Sequence, residues 1–232
     1  MILKNKICII TGSTGGLGEE IIKQMIDDKV KIIAIAKSKK KLEKIKKKFK
    51  KNIINYYACN FSNNNEIIKT IEKIKKLRLK IDILVNCAAQ FKVKNFNKFT
   101  QDEINQMINI NLIAPIFFTK AILPSMKKNK WGRIINIGSS SSYEGFENSV
   151  LYCTTKHGLL GFSRSVNNEF KKFGIRSYIF SPGSIKTNMG KLVKNQNYKN
   201  FIDPKELASF INYIIKQNNN MITEEIKINR IK

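Results

Sequence analysis

The sequence predicts a single α/β domain over residues 1–232, built on a doubly wound parallel sheet of about seven strands with helices on both faces. Three observations predict it. Short continuous apolar runs, such as Lys6-Ile7-Cys8-Ile9-Ile10 and Lys31-Ile32-Ile33-Ala34-Ile35-Ala36, recur along the chain in the pattern of strands buried on both faces. Stretches with apolar residues at helical spacing separate these runs, giving a strict strand–helix alternation. A glycine-rich turn joins the first strand to the first helix.

Each element follows in order. The first strand runs into Thr11-Gly12-Ser13-Thr14-Gly15-Gly16-Leu17-Gly18, and the next helix carries Ile21, Ile22, Met25 and Ile26 on one face. The glycines permit a sharp turn and close backbone approach, and the helix N-terminus offers unpaired N–H groups to a pyrophosphate. The spacing is G-x-x-x-G-x-G, not G-x-G-x-x-G. Strand 31–36 ends at Lys37-Ser38. The residue past this strand in a nucleotide-binding unit faces the adenosine ribose, and a cation and a hydroxyl there favour NADP(H) over NAD(H).

Helix 39–50, strand 53–59 ending at Asn60-Phe61, helix 63–78 and strand 81–85 follow. The turn Asn86-Cys87-Ala88-Ala89 is small enough for close approach to a flat ligand, and Asn86 is expected to cap its backbone groups. A helix over 101–126 carries Asn111 near its middle, where a polar side chain needs a partner. Pro115, one turn later, removes a donor, freeing carbonyls near Asn111 and bending the helix. Strand 133–137 ends in Gly138-Ser139, and the next helix begins near Tyr152 and runs to about Lys172. Strand 175–180 leads into Ser181-Pro182-Gly183-Ser184-Ile185-Lys186-Thr187. The polar loop 188–203 lies where a substrate lid would. Helix 204–217 and strand 225–229 close the chain. Ligands of open parallel sheets sit at the carboxyl ends of the strands, so Gly12, Lys37, Asn60, Asn86 and Ser139 should face one edge.

Tyr152 and Lys156 stand four residues apart on one helical face. An ammonium beside a phenol stabilises the phenolate, so Tyr152 is expected to exchange its proton well below the ordinary phenol value of about 10. Such pairs also occur on ordinary amphipathic helices, and its surroundings must decide its role.

Lys and Arg number 43 against 17 Asp and Glu, a formal charge of +26 and a pI near 10.0. The basic runs fall on different elements, and Lys, Asn and Ile are overused throughout, which reads as compositional bias. Specific nucleic-acid binding is not expected, although weak, salt-sensitive adhesion to polyanions is. Four widely spaced cysteines without a C-x-x-C pair suit a reducing compartment and argue against a metal site. The first strand begins almost at once, leaving no room for a targeting peptide, and no apolar stretch approaches the about 20 residues that span a bilayer. A cytoplasmic protein without membrane association is expected.

Taken together, these residues resemble the short-chain dehydrogenase/reductase family over essentially the whole chain. The resemblance rests on T-G-x-x-x-G-x-G at 11–18, N-x-A at 86–88, Asn111, Ser139 thirteen residues before Tyr152, Lys156, and P-G-x-I-x-T at 182–187. It implies a Rossmann fold and an NAD(P)-dependent oxidoreductase acting on CH–OH donors, transferring hydride between nicotinamide and a carbonyl or secondary alcohol. The implied catalytic tetrad is Asn111, Ser139, Tyr152 and Lys156. Ser139 would polarise the substrate carbonyl and Tyr152 would act as general acid/base. Lys156 would lower the tyrosine pKa and hold the nicotinamide ribose, and Asn111 would anchor a water linked to Lys156. Cofactor contacts are implied for Gly12, Ser13, Thr14, Gly15, Gly16, Leu17, Gly18, Lys37, Asn60, Phe61, Asn86 and Ala88. They are implied as well for Tyr152, Lys156, Pro182, Gly183, Ile185 and Thr187.

The chain departs from the family pattern at several positions. Asn60 replaces an Asp, though its amide oxygen still accepts a bond from the adenine amine; Ala89 replaces a Gly, and Gly138 a Ser. The chain end lacks the glycine-rich finish of many tetrameric members, so a homodimer and a homotetramer both stand. His157 reads as an ordinary helix residue. The implied substrate is a small carbonyl compound or acyl thioester, and the short lid argues against bulky ones. The 3-oxoacyl acyl-carrier-protein reductases of fatty acid synthesis are one branch. An acyl carrier protein would then be a partner, with Lys128, Lys130, Arg133, Lys171 and Lys172 in comparable segments. The reading from another class is a non-catalytic basic protein that binds polyanions or a partner; such a protein has no need of an intact tetrad.

Overall fold

The computed structural model describes residues 3–193, 196–218 and 222–230. Its strands are β1 (Ile7–Thr11), β2 (Lys31–Ala36), β3 (Ile53–Ala58), β4 (Ile83–Asn86), β5 (Gly132–Ile137), β6 (Ile175–Pro182) and β7 (Glu225–Ile228). They form one sheet in the order β3-β2-β1-β4-β5-β6-β7, and every pairing is parallel. Seven parallel strands with helices on both faces agree with the expected fold class. Ile2, near the expected chain start, and Ile231 at its end lie outside the described residues.

The helices are α1 (Gly16–Asp27), α2 (Lys39–Lys48), α3 (Asn64–Lys76), α4 (Gln101–Ile108), α5 (Ala114–Lys128), α6 (Val150–Phe170) and α7 (Pro204–Ile215). Alternate strand residues enter two cores, which is the period-2 consequence of a sheet covered on both faces. Cys8, Ile10, Ile32, Ala34, Ile83 and Val85 pack with α1, α2 and α7 residues such as Ile22, Leu42 and Ile211. Ile9, Ile33, Ile35, Leu84 and Ile134 pack with α3, α5 and α6 residues such as Ile71, Phe118 and Val166.

The helix starts are written locally. Ser38 caps α2 by accepting from the Lys41 N–H at 3.3 Å. Asn63 caps α3 through Asn65 and Glu66. Thr100 and Glu103 form a reciprocal capping box on α4, and Asp203 caps α7 with Pro204 in its first turn. Each satisfies backbone donors that a helix start leaves orphaned.

The single helix expected over 101–126 is divided. Residues Asn109–Ile113 form a π-type turn between α4 and α5, with the Ala114 N–H bonded to the Asn109 carbonyl. Pro115 has no N–H to give the Asn111 carbonyl, and the ladder adjusts one residue earlier by an i→i+5 bond. Within the run Gln101–Lys128 an 18-residue window has a mean hydropathy of 1.5, so this helical stretch is long and apolar enough to cross a membrane, which corrects the expectation that no stretch approaches that length. Here it is a core helix, with Met107, Phe118, Ile122 and Met126 buried in the fold.

Candidate active site

Because all strands are parallel, their carboxyl ends share one edge, and the chain leaves β1 in opposite directions on its two flanks. The Gly12 turn and the turn after β4 meet at that switch point. Gly12 has φ +66°, and a Cβ there would sit 2.7 Å from the Ala88 backbone nitrogen, so only glycine allows both the conformation and the approach. A Cβ on Gly18 would run into the Gly12 carbonyl. The Thr11 hydroxyl secures the junction. It accepts from the Cys87 and Ala88 N–H groups at 3.1 and 3.2 Å and donates to the Val85 carbonyl at 3.3 Å.

A cleft of about 1020 Å³ opens along this edge, at the upper end of the usual range for small-molecule sites. Of the residues read from the sequence, Gly12, Thr14, Gly15, Gly16, Leu17, Gly18, Lys37, Asn60, Phe61 and Ala88 line it. So do Ser139, Tyr152, Lys156, Pro182, Gly183, Ile185 and Thr187. Gly15 precedes α1 without any side-chain cap, so the first N–H groups of that helix stay available beside the glycine turn.

Ser13, Asn86 and Asn111 do not line the cleft. Ser13 is buried and gives its hydroxyl proton to the Ile35 carbonyl at 3.2 Å. Asn86 turns inward, donating to Asn136 Oδ1 at 2.9 Å. The capping expected of it falls instead to Thr11, and its own Oδ1 has no partner. Ser38 is likewise spent on capping α2, while Lys41, four residues beyond Lys37, lines the cleft in its place. Asn60 holds Ser62 through its Oδ1, which accepts from the Ser62 hydroxyl at 3.0 Å.

Asn111 sits at the centre of the π-type turn, fully buried. Its Oδ1 accepts from the Gln90 N–H at 2.8 Å; its Nδ2 donates to the Gln90 carbonyl at 2.9 Å and to Thr155 Oγ1 at 3.1 Å. It therefore clamps the segment after β4 to α6. The adjacent Phe91 stacks edge-on against Tyr152, with ring centroids 4.7 Å apart.

Ser139 caps the tight turn 140–142. Its Oγ accepts from the Ser141 N–H at 3.2 Å, and its own N–H donates to Ser142 Oγ. Acting as an acceptor there leaves the Ser139 O–H to donate, and it is directed toward Tyr152. Lys156 is buried and donates from Nζ to the Ile137 carbonyl at 2.7 Å. Burial lowers its pKa to about 8. Tyr152 is pushed up to about 12 by burial, against a smaller downward pull from the Ser139 hydroxyl. This reverses the expected direction, because desolvation of the phenolate outweighs the pull of the Ser139 hydroxyl. Cys87 also lines the cleft, its thiol raised by burial to about 12.

Sequence reasoning missed one apolar end of the cleft, near Tyr152. Gln90, Phe91, Val93, Phe146, Met189 and Val193 all line it. Met189 and Val193 belong to the expected lid, which is pinned by a bridge between Ile185 and Ile202 and by a 2.8 Å contact of Ser184 with Gln196. Lys41 alone carried a signal, as a second cation one helical turn from Lys37. His157 is exposed, its ring bonded to the Cys153 carbonyl at 2.9 Å, as expected of a helix residue. The four cysteines are free thiols.

The basic residues considered for a carrier-protein surface lie elsewhere. Lys130 and Arg133 flank the start of β5, and Lys171 and Lys172 precede β6, at the amino ends of the strands. Arg133 is moreover buried, donating to the Gly132, Gly174 and Gln217 carbonyls and to Asn218. That group stands at the edge opposite the cleft.

Comparison with known proteins agrees with this fold and shows the family. The family described as short chain dehydrogenase matches residues 6–197. An uncharacterized oxidoreductase of Staphylococcus saprophyticus is 31% identical over 225 residues, 93% of this chain and 92% of the relative. An uncharacterized oxidoreductase of Staphylococcus aureus strain MW2 is 25% identical over 227 residues, 98% of either chain. Among solved structures, an alcohol dehydrogenase from the archaeon Thermococcus sibiricus complexed with 5-hydroxy-NADP aligns with a TM-score of 0.86. Its identity is 23%, over 98% of this chain and 97% of that one, a likeness of fold. A structure described as ElxO with NADP bound aligns with a TM-score of 0.85 at 25% identity, over 97% of both chains.

Proposed function

Since the chain belongs to the short chain dehydrogenase family, we propose that it is an NADP(H)-preferring oxidoreductase that interconverts a small carbonyl compound and its secondary alcohol. The observation that carries this reading is the grouping of Ser139, Tyr152 and Lys156 along one wall of the cleft, on the strand edge that also bears the glycine turn. The residues present fit a dinucleotide. The Gly12–Gly18 turn and the uncapped start of α1 suit the pyrophosphate, and Lys37 with Lys41 suits a ribose 2′-phosphate. Asn60 and Phe61 suit the adenine, and Pro182, Gly183, Ile185 and Thr187 flank the far end. When bound, the nicotinamide supplies or accepts hydride.

The chain's own groups handle the proton. With a pKa near 12, Tyr152 holds its proton at neutral pH and is ready to give it to a carbonyl oxygen. Ser139, whose O–H is directed toward the Tyr152 oxygen, polarises the same carbonyl oxygen. Below about pH 8, Lys156 carries a positive charge that stabilises the phenolate left behind. A protonated acid beside a cation favours reduction over oxidation near neutrality.

NADPH oxidation, followed by absorbance over acetoacetyl thioesters, small ketones, aldehydes and quinones, tests this reading; no oxidation with any of them overturns it. Acyl thioesters belong in the screen because the narrower carrier-protein reductase reading uses them, but the basic group once associated with it lies across the sheet from the cleft. Self-association into a dimer or tetramer and a cytoplasmic location complete the proposal. Exposed Phe210 and Tyr213 on α7 support the first, and the free cysteines suit the second.

A further inference from the structure

We infer that Gln90 is a specificity-determining residue, whose side-chain amide accepts a hydrogen bond from a hydroxyl or N–H group borne by the substrate beside its carbonyl. The inference rests on the carbonyl-reducing function proposed above and names the substrate class within it. Gln90 lines the cleft immediately before Phe91, the residue stacked on Tyr152. Its Oε1 is buried and has no hydrogen-bond partner. A buried acceptor left unpaired costs stability, so such an atom calls for a donor from outside the fold.

The neighbouring donors are already committed. Asn111 spends its Nδ2 on the Gln90 carbonyl and on Thr155, and its Oδ1 on the Gln90 N–H. Thr155 gives its single hydroxyl proton to the Tyr152 carbonyl at 2.8 Å. The same bonds fix the Gln90 backbone from both sides, so the Cα from which its side-chain amide extends is set before any ligand arrives, as a discriminating group requires. Phe91 and Ile110, which line the same cleft, offer no polar group that would substitute for it. A substrate whose carbonyl reaches Ser139 and Tyr152 and carries a donor one or two bonds away satisfies Gln90; a plain ketone leaves it orphaned. Sites built to hold a substrate hydroxyl reject the analogue that lacks it far more strongly than apolar pockets reject a missing methylene.

The test uses an isosteric pair, 2-hydroxyacetophenone and propiophenone, with the NADPH-loaded protein. Binding is read by saturation-transfer NMR titration and turnover by NADPH oxidation. The wild type is expected to prefer the hydroxyketone by about tenfold or more in Kd and kcat/KM, and Gln90→Leu to bring that ratio to about one. NADPH affinity is expected to stay within about twofold, and Gln90→Glu, which keeps an acceptor, to retain the preference. A wild type without preference, or binding neither ketone, overturns the inference. So does a ratio that Gln90→Leu leaves unchanged, or a loss confined to NADPH binding. Preferential binding of the hydroxyketone without oxidation of NADPH by any carbonyl compound overturns the reductase reading alone. Melting curves recorded alongside show that the variants are folded.

Discussion

The Nζ of Lys156 stands 5.6 Å from the centroid of the Tyr152 ring, while its hydrogen bond goes to the Ile137 carbonyl at 2.7 Å. The ammonium thus stands near the phenol without bonding to it, and we propose that the proton carried by Tyr152 is the one transferred. Tyr152→Phe keeps the ring packed on Phe91 and removes the hydroxyl that carries that proton. Turnover is expected to fall by ~10²–10⁴-fold or more, with NADPH affinity by fluorescence titration within about threefold of wild type. Unchanged turnover defeats the assignment of Tyr152.

The pH profile separates the two groups. Burial leaves Lys156 with a pKa of about 8 and Tyr152 near 12, so between those values the tyrosine keeps its proton while the lysine loses its charge. Reduction is therefore expected to hold level below about pH 8 and to decline above it by about tenfold per pH unit, read as kcat/KM for NADPH, which reports groups of the free protein. In Lys156→Arg the charge persists to high pH, and the break near 8 should vanish whatever happens to the plateau. A break that stays in place in the arginine variant assigns it to another group.

The proposed preference for NADP(H) is assigned to two exposed cations, Lys37 and Lys41, just after β2 and in the first turn of α2. Charge reversal by Lys37→Asp replaces an attraction for a ribose 2′-phosphate with a repulsion and offers the free 2′-hydroxyl an acceptor. About a tenfold shift of the kcat/KM ratio toward NADH is expected, with a further, smaller shift on adding Lys41→Ala. Because both side chains are in solvent, the preference for NADPH should also weaken as salt rises. A ratio indifferent to both substitutions assigns the preference elsewhere.

The strands were legible because a sheet covered on both faces demands unbroken apolar runs such as Ile32–Ala36, and the glycine turn because Gly12 has no substitute at its φ. The Pro115 effect was legible for the same kind of reason: a missing donor must be absorbed somewhere. Which polar side chain caps the turn after β4 was not. Thr11 and Asn86 are paired at the ends of neighbouring strands and face the same side of the sheet, and only the partners around them decide that the Thr11 hydroxyl takes the turn N–H groups while Asn86 is drawn to Asn136. The direction of the Tyr152 shift was hidden because a sequence displays the neighbouring lysine but not the depth of burial that outweighs it. The strand edge occupied by Lys130 and Arg133 could have been read, since residues preceding a parallel strand lie opposite its carboxyl end.

Asn111 offers the sharpest test of stability. Among the described residues it is the side chain that pairs both polar groups of the Gln90 backbone, with the bonds at 2.8 and 2.9 Å. Asn111→Ala leaves that N–H and C=O, together with Thr155, short of a partner in a buried place, each unpaired backbone group costing about 1–3 kcal/mol. A total loss of about 2–4 kcal/mol is expected, which for a chain of this size lowers the melting temperature by roughly 5–12 °C. Asn111→Asp keeps the acceptor for the Gln90 N–H but removes both donors and brings a charge into the interior, so it should be no better. Amide exchange at Gln90 locates the effect: its N–H should lose protection in both variants more than the N–H groups of β1 do. A melting temperature within about 2 °C of wild type, with Gln90 still protected, would show that the segment before Phe91 is held by something other than Asn111.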